Sequence, residues 1–395
     1  MRRAHRTKRN TTFDAALPLS PAPPFHDWPG TPLHRMICLQ HLVPATFGLW
    51  ITMRLATLFP RAATAMNLVG ADALLGGAHR GIGSVIVMHS VVRDRRDHLL
   101  DRLRTSVSFL EALIAHYIAA GVQIITLDEA LARLENPSSK RFVCFTFDDG
   151  YRDNLSLALP IFERDGLPLT VFVTTCFIDR SMNVWWAGLV ELLKRVDSLE
   201  VSALDRIFDT STFEKKVQAY RLLECAVSAG TLLSPAVSDL LRSHGISCEA
   251  ILDRDALAGS EVRDLGRHPL VTIGGHTHSH PRLSSLSLPN ARHEMKQNKD
   301  LLEELTGREM HHFAYPYGDR TSCGEREFAL ARELGFRSGL TTQIGNLGQK
   351  HLFCPTGLPR LRPFNHYESI RLLEFQRSGA ANAVAAYFGN DTAIA

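Results

Sequence analysis

From Ser84 onward, short apolar runs rich in β-branched residues alternate with stretches of helical periodicity. Ser84–Met88, Val122–Leu127, Phe142–Phe147 and Leu169–Thr174 predict strands, and so do Leu270–Ile273, His312–Tyr315, Phe336–Thr341 and Leu358–Leu361. Helices are predicted at about Asn290–Thr306, Glu325–Leu334 and Tyr367–Ser378. Ser108-x-x-Glu111 has the form of a capping box opening a helix that ends at Gly121, and Thr126-x-x-Glu129 opens another. Strands alternating with helices argue for parallel strands joined by crossover helices, hence an α/β barrel or an open α/β sheet. Between Trp185 and Arg267 the rhythm stops. Helix formers over Leu189–Val196, Phe213–Ala229 and Ala236–His244, with no clear strand, predict a helical insertion at about 185–267.

The segments outside this pattern carry less. Residues 1–35 read as disordered from their Pro, Thr and Arg content, and 36–80 as a helical N-terminal segment. The main body is expected over 84–378, followed by a C-terminal tail at 379–395. Leu42–Met53 is apolar for about twelve residues, short of the roughly twenty that span a bilayer. It is expected to pack on the domain, with a peripheral membrane contact through the N-terminal segment as the alternative. Met36 and Met53 are both plausible alternative starts, and residues 1–52 show no strand pattern.

Charge and cysteine usage narrow the class. A net charge of +3, with no long basic face in the body of the chain, is too small to imply a nucleic-acid partner, and none is expected. The run Arg2, Arg3, Arg6, Lys8 and Arg9 reads as a solvated tail. The seven cysteines are scattered, with no C-x-x-C pair, which fits a reducing, cytoplasmic compartment better than a disulfide framework.

Chemistry collects where the strands end. Phe142–Phe147 finishes in Asp148-Asp149-Gly150, Leu270–Ile273 runs into Gly274-Gly275-His276-Thr277-His278-Ser279-His280-Pro281, and His312–Tyr315 leads into Pro316-Tyr317-Gly318. In a parallel barrel the C-terminal strand ends meet on one face, so the three segments read as one site. Two imidazoles and a carboxylate suit a divalent metal with open positions for water and substrate. A second carboxylate nearby suits a general base, and the adjacent aspartates offer one residue for each task. Each segment alone is weak: Asp-Asp-Gly is more often a turn, and His-x-x-x-His recurs by chance. Their joint occurrence after apolar strands carries the inference.

Thr146-Phe147-Asp148-Asp149-Gly150 resembles the first motif of the polysaccharide deacetylase family, the NodB-homology domain of carbohydrate esterase family 4. His276-Thr277-x-Ser279-His280-Pro281 is similar to its second motif, and Phe313-Ala314-Tyr315-Pro316-Tyr317-Gly318, less specifically, to its third. The resemblance covers roughly Ser84 to Leu373 and implies a distorted (β/α) barrel with fewer than eight complete units. It implies Asp148 as general base and Asp149, His276 and His280 as ligands of a divalent metal, zinc first, with cobalt or another transition metal as alternatives. Thr277 would brace the histidine loop, and the Tyr317 backbone N–H would help hold the oxyanion. Pro316 and Tyr317 would line the substrate site. The implied activity is removal of N-acetyl groups from an amino sugar in an oligosaccharide, a polysaccharide or a glycan precursor. The partner is therefore an N-acetylated carbohydrate.

Two departures bear on that assignment. The third-motif arginine, which orients the catalytic carboxylate in the family, is Ala314 here; Arg360, at the end of Leu358–Leu361, is the candidate to replace it. The histidine that serves as general acid is not fixed by any motif; His89, His351 and His366 are the candidates. His278 falls at a variable position and should point away from the metal. Trp185 and Trp186 are either core or a sugar-stacking wall. Rival readings are a carbohydrate O-acetyl esterase, an inactive carbohydrate-binding relative, and a non-haem iron oxygenase, against which the β/α rhythm counts.

Overall fold

The computed structural model describes residues 76–94, 103–138, 140–228, 230–363 and 368–387. The expectations for residues 1–75, and the candidate His366, lie outside the described residues. The chain enters through β1 (Gly83–Met88), β2 (Ser90–Val92), β3 (Arg104–Ser106), α1 (Val107–Ala119), β4 (Gln123–Ile124), α2 (Leu127–Glu135) and β5 (Phe142–Phe147). It continues through α3 (Leu159–Arg164), β6 (Leu169–Val173) and α4 (Thr175–Ile178). An inserted section follows: α5 (Trp185–Arg195), β7 (Ser198–Val201), β8 (Arg206–Asp209), α6 (Phe213–Ser228), α7 (Ser234–Ser243), α8 (Cys248–Asp255) and α9 (Gly259–Arg267). The last part holds β9 (Val271–Gly275), α10 (Leu288–Thr306), β10 (His312–Ala314), α11 (Glu325–Glu333), β11 (Ser338–Ile344), β12 (Leu358–Arg360), α12 (Ile370–Arg377) and α13 (Ala380–Tyr387).

Seven strands form the wall in the order β1–β5–β6–β9–β10–β11–β12, all parallel, while β4 pairs with the start of β5. Closure rests on Leu361. Its N–H donates to the Val85 carbonyl at 2.7 Å, and its carbonyl accepts from Val87 N–H at 2.9 Å. The sheet is therefore a distorted (β/α) barrel, not an open sheet. Every residue of β1, β5 and β6 is buried, because side chains fill the inside and helices cover the outside. Alternation divides them. Val85, Cys144, Phe172, Ala314, Leu340 and Leu358 form one cluster within the wall. Ile86, Phe145 and Val171 join another with Leu110, Leu113 and Met295 of the covering helices. Continuing the inner parity past the strand ends reaches His89, Asp148, His276 and Arg360, which places functional groups at the barrel mouth.

Several expectations change. The first cap is Ser106, not Ser108: its Oγ accepts from Phe109 N–H at 3.2 Å, and its extended backbone suits an N-cap, whereas Ser108 already lies within α1. Thr126 caps α2 through Glu129 N–H at 3.1 Å. The inserted section is not purely helical, since β7 and β8 form an antiparallel hairpin that turns at Asp205. Its alternation, with Leu199, Val201 and Phe208 inward, is only four residues long on each strand. Those side chains join Leu189, Leu193, Leu223 and Leu241 in a second core, which also takes in Tyr151, Cys176 and Phe177. Past residue 379 the chain continues as α13, where Ala380 packs on Leu372 and Phe375. No helix among the described residues is long and apolar enough to cross a membrane.

Candidate active site

Asp149, His276 and His280 converge although they leave different strands. Asp149 Oδ1 lies 3.3 Å from His276 Nε2 and 3.4 Å from His280 Nε2. Tetrahedral zinc with N and O ligands places such donors about 3.3 Å apart. His276 Nδ1 lies 2.7 Å from the Ala314 carbonyl, so it carries the hydrogen and turns the Nε2 lone pair toward Asp149. The donor set thus fits a divalent metal by spacing, chemistry and tautomer. Burial pushes the Asp149 carboxyl up, but the adjacent His276 and His280 imidazoles outweigh it and hold the group well below the usual carboxylate range. Burial also pushes His276 down, yet Asp149 and Asp148 carry it above the ordinary imidazole value.

The backbone is bent to make this arrangement. Of the seven non-glycine residues with positive φ among the described residues, Asp149, Thr277, His280 and Tyr317 lie here. Conformations of this kind cost about 1–3 kcal/mol each and persist where surrounding bonds impose them. Those bonds are visible. Thr277 Oγ1 accepts from His280 N–H at 3.0 Å, and Thr174 Oγ1 donates to the His276 carbonyl at 3.0 Å. Asn298, wholly buried on α10, accepts from His276 N–H at 3.0 Å and donates to the Thr277 and Val173 carbonyls. The sequence reading missed Asn298. Its one signal was an uncharged polar residue on the inward stripe of an otherwise amphipathic helix.

Asp148 faces Arg360. Arg360 Nη1 and Nη2 donate to Asp148 Oδ1 and Oδ2, each at 2.7 Å, and Nε donates to the Thr341 carbonyl at 2.8 Å. Nη1 also donates to Thr146 Oγ1 at 3.1 Å. Arg360 is 0% and Asp148 2% exposed. Burial pushes the Asp148 carboxyl up, but Arg360 and His276 bring it below its ordinary value. Ala314 leaves the orienting guanidinium to come from β12.

Of the three histidines considered for the acid, His89 lies at the site, within electrostatic reach of Asp149, Asp148, Arg360 and His276. Burial lowers its pKa, and the two aspartates oppose that shift. His351 instead closes its own turn, accepting from Gly348 N–H at 2.9 Å, and burial depresses it to about 4.

The rim is aromatic. Pro316 is buried beneath the turn and Tyr317 is exposed, with its ring 5.1 Å from that of His280 and the Arg282 guanidinium 4.3 Å above it. Trp186, half-buried at the start of the insertion, has its ring 6.4 Å from that of His280. Trp185 meets it edge-on. His278 turns away from the site, bonding Thr175 Oγ1 at 2.8 Å.

A closed β/α barrel that gathers these groups at the C-terminal ends of its strands has the architecture of the carbohydrate deacetylases and esterases. The sequence profile of that class described as "Polysaccharide deacetylase" matches residues 135–206 and 211–339, just over half of the 395 residues, and the chain belongs to that family. Its fold is similar to that of the Streptococcus pyogenes deacetylase PplD in complex with acetate, at 16% identity and a TM-score of 0.50, over 74% of this chain and 97% of that one. IcaB from Ammonifex degensii is also similar, at 14% identity and 0.48, over 76% and 97% of the two chains. So is the BpsB deacetylase domain from Bordetella bronchiseptica, at 16% and 0.45, over 71% and 94%. No curated protein sequence matches this chain.

Proposed function

We propose that this chain is a metal-dependent N-deacetylase acting on an acetamido sugar within a glycan. The observation that carries the reading is the buried Asp148, gripped in bidentate fashion by Arg360 beside the Asp149–His276–His280 donor set. A divalent ion held by those three residues supplies Lewis acidity toward the acetyl carbonyl and the attacking water. Zinc suits the donor set, and cobalt would serve in its place. Asp148, kept ionised by Arg360, accepts the proton of the attacking water at a carboxylate oxygen. The Tyr317 backbone N–H, in the turn beside His280, would stabilise the oxygen that gains charge as the carbonyl becomes tetrahedral. Trp186 and Tyr317, each with its ring near that of His280, would supply aromatic surface to a pyranose ring.

His89 favours the amide over the ester. An amine leaves only once its nitrogen is protonated, whereas an alcohol of lower basicity needs that help less. A histidine beside the two aspartates, once it has taken up a proton, would give that proton to the nitrogen. The test is acetate release by the purified, metal-analysed protein from matched N-acetylated and O-acetylated oligosaccharides. Release from the N-acetyl series supports the reading. Release from the O-acetyl series alone would make the chain an esterase, and release from neither, with sugar still bound, a binding relative.

A further inference from the structure

Beside the histidine loop a second set of donors converges. Cys176 lies in α4, Asp179 follows that helix, and His278 sits between the two histidines of the active site. Their ligand atoms all lie within 4.8 Å of one another, and Cys176 Sγ is 3.4 Å from His278 Nε2. We propose that Cys176, His278 and Asp179 form a second metal site, for a divalent cation of the zinc class, distinct from the Asp149–His276–His280 centre. It is independent of the deacetylase reading.

The Cys176–His278 pair already stands at ligand spacing. Tetrahedral zinc bound by one sulfur and one imidazole nitrogen sets them about 3.6 Å apart, close to the distance here. The imidazole is oriented for the purpose. The Gln297 amide, 3.2 Å from Nε2, donates to its lone pair, which leaves the ring hydrogen on Nδ1 to be donated to Thr175 Oγ1 at 2.8 Å. An arriving ion takes that lone pair while the Thr175 bond holds the ring in place. The protein part of the site is already in register, because Cys176 N–H donates to the His278 carbonyl at 2.9 Å. Asp179 is fixed as well, its Oδ1 accepting from Ser181 N–H at 2.9 Å and Ser181 Oγ at 2.5 Å. Cys176 is buried and Asp179 exposed, so the carboxylate marks the entry side.

On binding, the S–H bond breaks, its proton leaves to solvent and a sulfur–metal bond forms. The thiolate and carboxylate then neutralise the dication. A thiolate with an imidazole selects zinc or cobalt over magnesium or calcium. Such an ion would pin α4 to the loop that carries His276 and His280.

Cobalt titration of the full chain, stripped by chelator and kept reduced, distinguishes the two centres, because only one contains sulfur. Two equivalents are expected, one of them raising a thiolate-to-cobalt charge-transfer band in the near ultraviolet. Cys176→Ser should lose that band and one equivalent and keep the other equivalent. Asp149→Asn should lose the other equivalent and keep the band, so failure of the active-site reading and failure of this one look different. Asp179→Asn, a change at an exposed position, should weaken the band-forming site by about tenfold or more and covers the case in which Cys176→Ser does not fold. No band at saturating cobalt, or a band that persists in Cys176→Ser, overturns the proposal. So does a band-forming site whose affinity is unchanged in Asp179→Asn.

Discussion

Replacing Arg360 with methionine tests the feature on which the active-site reading depends. The side chain is wholly buried, and two of its nitrogens are committed to Asp148. Its removal leaves a buried carboxylate without a counter-charge, and breaking a buried pair in this way costs about 3–5 kcal/mol. Arg360→Met should therefore lose about that much stability in urea unfolding at neutral pH. Replacing both partners, as Arg360→Met with Asp148→Leu, should be far milder than the sum of the single changes, because no charge is left stranded.

The pH dependence has a definite sign. In the wild type the Asp148 carboxyl lies below its ordinary value. The pair therefore contributes stability that is present above the unfolded pKa of about 3.9 and lost as pH falls through the folded one. Without Arg360, burial acts with less opposition and the folded pKa rises. The variant's deficit should then shrink as acid protonates the stranded carboxylate. A deficit under about 1 kcal/mol, singles that simply add, or a deficit that does not narrow in acid would refute the reasoning.

Three other predictions address the site. His276→Ala and Asp149→Asn should each lose the metal at that centre, read by elemental analysis, whereas Asp148→Asn should keep it and lose most activity. Chelation should abolish acetate release and added Zn²⁺ or Co²⁺ should restore it. His89→Gln should retain metal and lower kcat by about 10²–10⁴-fold on an N-acetyl substrate, with a smaller loss on an O-acetyl ester.

What the sequence disclosed follows strength of pattern. Phe142–Phe147 and Leu169–Val173 are apolar at nearly every position, and such runs announce buried parallel strands without help from tertiary context. The candidate donors Asp149, His276 and His280 were legible because their two segments follow apolar strands. The position of His89 was not, because it requires knowing that β1 closes the barrel against Leu361 and so stands beside Arg360 and Asp148. Asn298 was hidden for a related reason. It works through backbone groups twenty or more residues away, and nothing in the local pattern of α10 marks them. The β7–β8 hairpin escaped notice because four residues of alternation per strand do not outweigh the helix formers around it.

The relation of Ala314 to Arg360 shows why a motif departure need not mean a lost function. Residue 314 has two jobs, and they separate. Its carbonyl accepts from His276 Nδ1 at 2.7 Å, a backbone contact that any side chain leaves available. Its side chain packs with Phe172 and Leu340 inside the wall, and the guanidinium of Arg360 lies 6.0 Å from that Phe172 ring. The buried charges then limit what can stand there. Asp149 is engaged by two histidines, which leaves Asp148 as the carboxylate that Arg360 neutralises. A second buried guanidinium at 314 would find no such partner and would carry the desolvation cost of an unpaired charge. Electrostatics therefore requires one arginine at this depth of the barrel and does not specify its strand. With β12 two strands along the wall from β10, a guanidinium entering there meets the same carboxylate from the other side.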